Sequence, residues 1–174
     1  MVKVRSLEAT IPKIYQSVKA GVSTLIPAPE SYEKTLPPFA KVLATHDQLN
    51  FKNYGGLSEA YFFAGNRKRG ETLYALFSAN AKSVLGPEDT YHAGVGGDMA
   101  FFYFYDKNYS KAEPLLLGAI KQLETHLTPP VANSLVFDYS LMSLILEKEG
   151  KTAEASSYAK KYVDLEKKQQ ENPL

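Results

Sequence analysis

The sequence contains no cysteine and no tryptophan. Without cysteine there can be no disulfide framework, no thiol nucleophile and no thiolate-held zinc. Neither sign of charge is in excess: 20 Lys+Arg stand against 19 Asp+Glu, a formal net charge of +1. A nucleic-acid binder usually carries a basic stripe to neutralise phosphates, and a membrane-surface binder a polybasic patch. This chain has neither, so nucleic acid is not an expected partner. Long apolar runs are missing too. No stretch approaches the ~18 apolar residues that a membrane-spanning helix needs. The start, Met1-Val2-Lys3-Val4-Arg5, lacks the apolar core of a secretory signal. The cytoplasm is the first expectation, and a mature exported form is also compatible with the composition.

Reactive motifs are equally scarce. His46, His92 and His126 fall in or near expected inter-helix turns, and no two share an i, i+4 face. A zinc site needs three or four convergent ligands, so no metal is expected. The run Gly94-Val95-Gly96-Gly97 lacks a preceding strand and the Lys-Ser/Thr ending of a phosphate-binding loop. It falls inside an expected helix, where each glycine costs about 1 kcal/mol relative to alanine. Asp89, Asp98 and Asp106 are spread along one stretch, with no sign of the convergent, pocketed pair that acid–base catalysis requires. No Gly-x-Ser-x-Gly nucleophile motif occurs. The expectation is a chain with no catalytic residue, no cofactor and no enzymatic activity.

What is present is a core and a repeat. Hydrophobic residues make up 44% of the chain, and its 12 Tyr and 9 Phe cluster in helical stretches. The frame Leu85-Gly86-Pro87 returns as Leu127-Thr128-Pro129, 42 residues later, and Tyr61 returns as Tyr103 at the same offset. A third copy follows at Leu144-Ile145-Leu146-Glu147-Lys148-Glu149-Gly150-Lys151, offset by 43. This predicts three units, at 46–86, 87–129 and 130–168, each a helical hairpin. In the middle unit a helix over Tyr91–Tyr105 carries Val95, Met99 and Phe102 at helical spacing. After the turn Asp106-Lys107-Asn108, a second helix over Tyr109–Leu127 carries Ala112, Leu115, Leu116, Ala119, Ile120 and Leu123. The third unit predicts helices near 131–148 and 152–168, with Gly150 as the stop between them. Ser58, Ala100 and Ser143 hold equivalent places in the first helices, and Gly70, Ala112 and Ala155 in the second. Large residues recur beside them: Leu57, Met99 and Met142, then Tyr61, Tyr103 and Leu146. Small beside large at fixed phase is what stacked hairpins require.

On these residues the chain resembles the tetratricopeptide repeat, in the longer 42-residue variety seen in kinesin light chains. The resemblance is carried best by Leu85-Gly86-Pro87-Glu88-Asp89-Thr90 and Asn108-Tyr109-Ser110-Lys111-Ala112-Glu113-Pro114-Leu115-Leu116. It covers roughly 46–168. The first unit departs from the pattern: Gly70 replaces the usual alanine, and Phe77 stands where a small residue belongs. The family's Asn pair in the first helices is replaced by Gly55-Gly56 and Gly97-Asp98. The resemblance implies an all-α fold, a right-handed superhelix of three hairpins with seven or eight helices in all, whose first helices line a concave inner face.

Residues 1–45 fit no full repeat and are expected to form capping helices. Leu7, Ile11, Ile14, Val18 and Val22 mark one amphipathic helix, which Pro12 is expected to kink or delay. After Ile26-Pro27-Ala28-Pro29, Ser31 is a candidate N-cap, and a helix with Phe39, Val42 and Leu43 follows Pro37-Pro38. The tail 169–174 is polar and expected to fray. By the family's geometry the inner face carries Glu59, Phe62 and Phe63, then Phe101, Phe104 and Tyr105, then Phe137, Leu144 and Lys148, with Gly55, Gly97 and Ser140 leaving room between them. That predicts an aromatic groove for a peptide or helix of a partner protein, the chain being a monomer or homodimer. The opposing expectation is that the same aromatics are core, or that the N-terminal segment fills the groove. A self-associating structural component and a small-molecule or lipid groove are the alternative functions.

Overall fold

The computed structural model describes residues 2–87 and 89–171, with side chains from Glu8 onward. Expectations touching Glu88, the Leu7 side chain and 172–174 lie outside the described residues. Those residues form nine α-helices and no strand. Helix α1 (Val2–Leu25) runs unbroken through Pro12, contrary to the expected interruption. Pro12 lies on the exposed side, where water can bond the carbonyl that its missing N–H releases. Short helices α2 (Pro29–Glu33) and α3 (Phe39–Thr45) follow. Ser31 is not a cap; it lies inside α2, which opens on Pro29 at a position where a missing N–H costs nothing.

Three hairpins come next. They are α4 (Gln48–Phe63) with α5 (Arg67–Leu85), α6 (Tyr91–Tyr105) with α7 (Tyr109–Glu124), and α8 (Pro129–Lys148) with α9 (Thr152–Glu171). Helix α7 stops three residues short of the expected Leu127, where Thr125 turns its hydroxyl back onto the Gln122 carbonyl. Helix α9 extends to Glu171, into the stretch expected to fray. All three hairpins use one turn. Its middle residue is left-handed each time: Gly65 at φ 87°, Lys107 at 62° and Gly150 at 78°. The next N–H reaches back across the turn to the same carbonyl place, Asn66 to Tyr61 at 2.9 Å, Asn108 to Tyr103 at 2.8 Å and Lys151 to Leu146 at 2.9 Å. This is the six-to-one bond that closes a helix on a left-handed residue. The first and second hairpins thus differ chiefly in that Lys107 adopts a backbone region that favours glycine. A carboxylate and an amide side chain start α4 and α5: Asp47 accepts from the Asn50 N–H at 3.1 Å, and Asn66 from the Arg69 N–H at 3.3 Å.

The chain divides into two compact units, Tyr15–Val95 and Met1–Ile14 with Gly96–Leu174. In the first, α4 packs on α5, with α2 and α3 against α4. In the second, α8 packs on both α7 and α9. The small residues stand where helices meet. A Cβ on Gly70 would lie 2.7 Å from the Ser58 carbonyl oxygen, and the Ser143 hydroxyl donates to the Ala155 carbonyl at 2.9 Å. The large residues Leu57, Met99 and Met142 beside them are buried.

Candidate functional site

The candidate inner-face residues divide by burial. Phe62, Phe63, Phe101, Phe104 and Leu144 are buried, and so do not line an open groove. Tyr105 is 36% exposed, Glu59 and Phe137 are half-buried, and Lys148 is exposed. The small residues expected as a floor are also occupied. Gly55 is covered by the Phe77 and Tyr91 rings, Gly97 by the Asp138 carboxylate, and the Ser140 hydroxyl bonds the Phe137 carbonyl at 2.7 Å.

Part of the cover comes from α1. In the unit Tyr15–Val95, the Tyr15 ring meets the Phe63 ring edge-on, with centroids 5.4 Å apart. In the other unit, Glu8 of α1 pairs with Lys148 at 2.5 Å, and this ion pair raises the Lys148 pKa. Ile11 and Tyr15, four residues apart on one helical face, are both buried. The remaining cover comes from the next hairpin for Phe101 and from the same hairpin for Phe104. Phe101 meets Phe137 edge-on at 5.5 Å, and Phe104 meets Tyr109 at 5.6 Å.

Each unit also has a polar clasp that local spacing does not reveal. Glu33 of α2 accepts from the Tyr61 hydroxyl at 2.6 Å and pairs with Arg69 of α5. Burial alone would raise the Glu33 pKa, but the bonds from Arg69 and Tyr61 outweigh it and hold the carboxyl below its usual range. The Tyr61 phenol, buried and bonded to that carboxylate, is pushed up to about 12. In the other unit, Glu124 of α7 accepts from Tyr139 of α8 at 2.8 Å and from Lys161 of α9 at 2.7 Å. A recess of about 270 Å³ adjoins this clasp, walled by Leu127, Leu135, Leu165 and Lys168. It falls below the ~300–1,000 Å³ of usual small-molecule sites, and Lys161 is already committed to Glu124.

Asp98 also has an acidic neighbour on a different helix, one not considered from the sequence. Asp138 of α8 is 6% exposed, and its carboxylate faces Gly97 of α6, the residue before Asp98. Burial pushes the Asp98 carboxyl up to about 6. Burial, with the charge of Asp98 added, pushes the Asp138 carboxyl up to about 7. Among the described residues no Lys, Arg or His charge relieves either of them, and the Tyr139 phenol also feels Asp138. The folded chain therefore holds these protons more tightly than the unfolded chain does. Their contribution to stability is complete below the unfolded value near pH 4 and is lost as pH rises through about 6 to 7. Asp138→Asn is expected to raise stability at pH 8 by about 2 kcal/mol, or ~4–8 °C in Tm, more than it does at pH 5. Thermal unfolding followed by circular dichroism at the two pH values measures this. An equal shift at both would remove the pair as the cause.

Among the described residues no group of three or more His, Asp or Glu could hold a metal ion, and no helix is long and apolar enough to cross a membrane. No protein-family model matches the chain, and no curated protein matches it at a significant level.

Proposed function

We propose that this chain is a non-enzymatic protein-interaction module of the tetratricopeptide type, a right-handed array of three hairpins, which binds an amphipathic helix of another protein on the surfaces that α1 covers. The observation that carries the reading is the seat of Tyr15 on Phe63. A residue chosen from the sequence as a partner contact already accepts an aromatic side chain from an amphipathic helix. Helix α1 carries Glu8, Ile11 and Tyr15 at one helical phase, and in the other unit Glu8 engages Lys148, also expected to meet a partner. Helix recognition in repeat proteins uses this kind of i, i+3, i+7 anchor set. Helix α1 acts as an internal ligand, and a partner helix of similar pattern displaces it.

The test uses the full chain with Ile11→Ser and Tyr15→Ser, which removes the two apolar anchors of α1 while keeping the helix. A fluorescent peptide of residues 2–25 is added in trans. Binding to the variant is expected to be at least tenfold tighter than to wild type, because the tethered copy competes at millimolar effective concentration. The same peptide carrying Tyr15→Ser should not bind. Equal affinity for wild type and a folded variant, or no binding to either, would sink the proposal.

A further inference from the structure

We propose that the recess walled by α7, α8 and α9 is a separate docking site. It takes one leucine-like side chain, with a carboxylate next to it, from an acidic segment of a partner protein. The recess lies wholly within the unit Gly96–Leu174 and is lined by no residue of α1. It therefore stands or falls apart from the function proposed above.

The cavity has about 270 Å³ of space. Its most buried lining is Leu135 and Tyr139 of α8, four residues apart and so on one helical face. Leu165 of α9 is half-buried, and Leu127, in the turn between α7 and α8, is 57% exposed. The apolar lining thus runs from the core out to water. A lone exposed leucine is ordinary. One that continues an apolar concavity differs, because a side chain inserted there gains contact on several sides and leaves water at once. Such pockets hold the anchor residues of protein interfaces.

The lining also decides which side chain fits. The space is smaller than a drug-sized molecule needs and suits a single residue. Three leucines supply the apolar surface. The Tyr139 ring is already engaged by Lys161, 5.3 Å from its centroid, which also lies 5.2 Å from the Tyr158 ring. An aromatic guest would compete with that cation for the ring, whereas a branched aliphatic one packs on the leucines.

Charge selects what stands beside the aliphatic group. Glu124, Lys161, Asp164 and Lys168 line the recess. Glu124 accepts from Tyr139 at 2.8 Å and from Lys161 at 2.7 Å. Asp164 accepts from Lys160, one turn back on α9, at 2.5 Å. Both acids are thereby compensated, and Lys168, exposed at the edge of the recess, is the cation in surplus. A carboxylate next to the inserted side chain meets that ammonium and no uncompensated acid. A cationic neighbour would be repelled.

The experiment is a ¹H–¹⁵N NMR titration of the full chain at pH 7 and low salt. The probes are N-acetyl-leucyl-glutamate methylamide, its uncharged leucyl-glutamine counterpart and the alanyl-glutamate counterpart. Saturable shifts centred on the Leu127, Leu135, Tyr139, Leu165 and Lys168 amides are expected with the first. Losing most of the aliphatic side chain should weaken binding about tenfold. Losing the charge should weaken it about threefold, a preference that fades as salt is raised. Lys168→Gln should erase the preference for glutamate over glutamine while keeping that for leucine over alanine. Leu127→Ser should weaken both leucyl probes. Both substitutions are at exposed positions, and Val163→Ser, exposed on α9 outside the recess, should change nothing. Equal response to the leucyl and alanyl probes, or shifts scattered away from the recess, would overturn the site. A glutamate preference that survives Lys168→Gln would overturn the acidic partner. Shifts at the same amides on raising protein concentration alone would make the occupant a second copy of the chain and overturn the proposal.

Discussion

Phe77→Ala is expected to lower the unfolding free energy by about 3–5 kcal/mol, the range for truncating a buried aromatic. Phe77 of α5 is fully buried; it stacks on Phe51 with centroids 4.8 Å apart and meets Tyr91 edge-on at 6.0 Å and His92 at 5.8 Å. By the repeat pattern this position should be small. The structure gives the reason it is not: the helix opposite is bare at Gly55, where a Cβ would stand 3.1 Å from both the Phe77 and the Tyr91 ring. A small residue on α4 thus faces a large one on α5, a complementarity of the kind cores tolerate. The two positions should therefore be coupled. Gly55→Leu alone overpacks the site and costs about 1–3 kcal/mol. Added to Phe77→Ala, it fills part of the void. The double variant is expected to be more stable than the sum of the single effects by at least ~1 kcal/mol. Urea unfolding of the four proteins measures the coupling, and strict additivity would mean that the ring and the glycine do not share space.

Glycine-to-alanine changes should have opposite signs at two helical positions. Within a helix the exchange is worth about 1 kcal/mol in favour of alanine. At Gly118 of α7 an added Cβ meets nothing within 4 Å, so the full gain is expected, ~2–4 °C in Tm. At Gly70 of α5 the Cβ would lie 2.7 Å from the Ser58 carbonyl oxygen and 3.2 Å from the Phe62 nitrogen. These are backbone atoms of α4 and cannot rotate away. The helices must separate, loosening Leu73 and Phe77 in the same seam, and overpacking of this kind costs about 1–3 kcal/mol or more. That outweighs the helix-propensity gain, so Gly70→Ala should lower Tm and Gly70→Val should lower it by about 6–12 °C. Gains at both positions would mean that α4 and α5 have slack between them.

The aromatic stripes were legible and their exposure was not. Phe62, Phe63, Phe101 and Phe104 stand at the helical phase expected from the repeat, yet all four are buried. The phase of a helix says which residues share a face. It does not say whether another element lies on that face. Tyr15, which covers Phe63, is 48 residues away in sequence, and Phe137, which covers Phe101, is 36 away. The acid pair was missed for the same reason. In sequence Asp98 stands between Asp89 and Asp106, whereas its charge acts on Asp138 on another helix. The two acids differ by 40 positions, off the period of 42 or 43, so the repeat does not pair them. Ser31 failed as a cap because Pro29, two residues earlier, already has the fixed φ that starts a helix.

By itself the sequence determined that this protein is helical, roughly where its hairpins turn, and which residues are small at the helix contacts. Those properties follow from interactions within a few residues: the i to i−4 bond, the cap, the left-handed residue at a turn, and the apolar period of 3.6. Tertiary structure alone decided which apolar face meets solvent, which glycine makes room for which ring, and which acids share a seam. Each of these depends on chain segments tens of residues apart, whose meeting is set by how the hairpins pack.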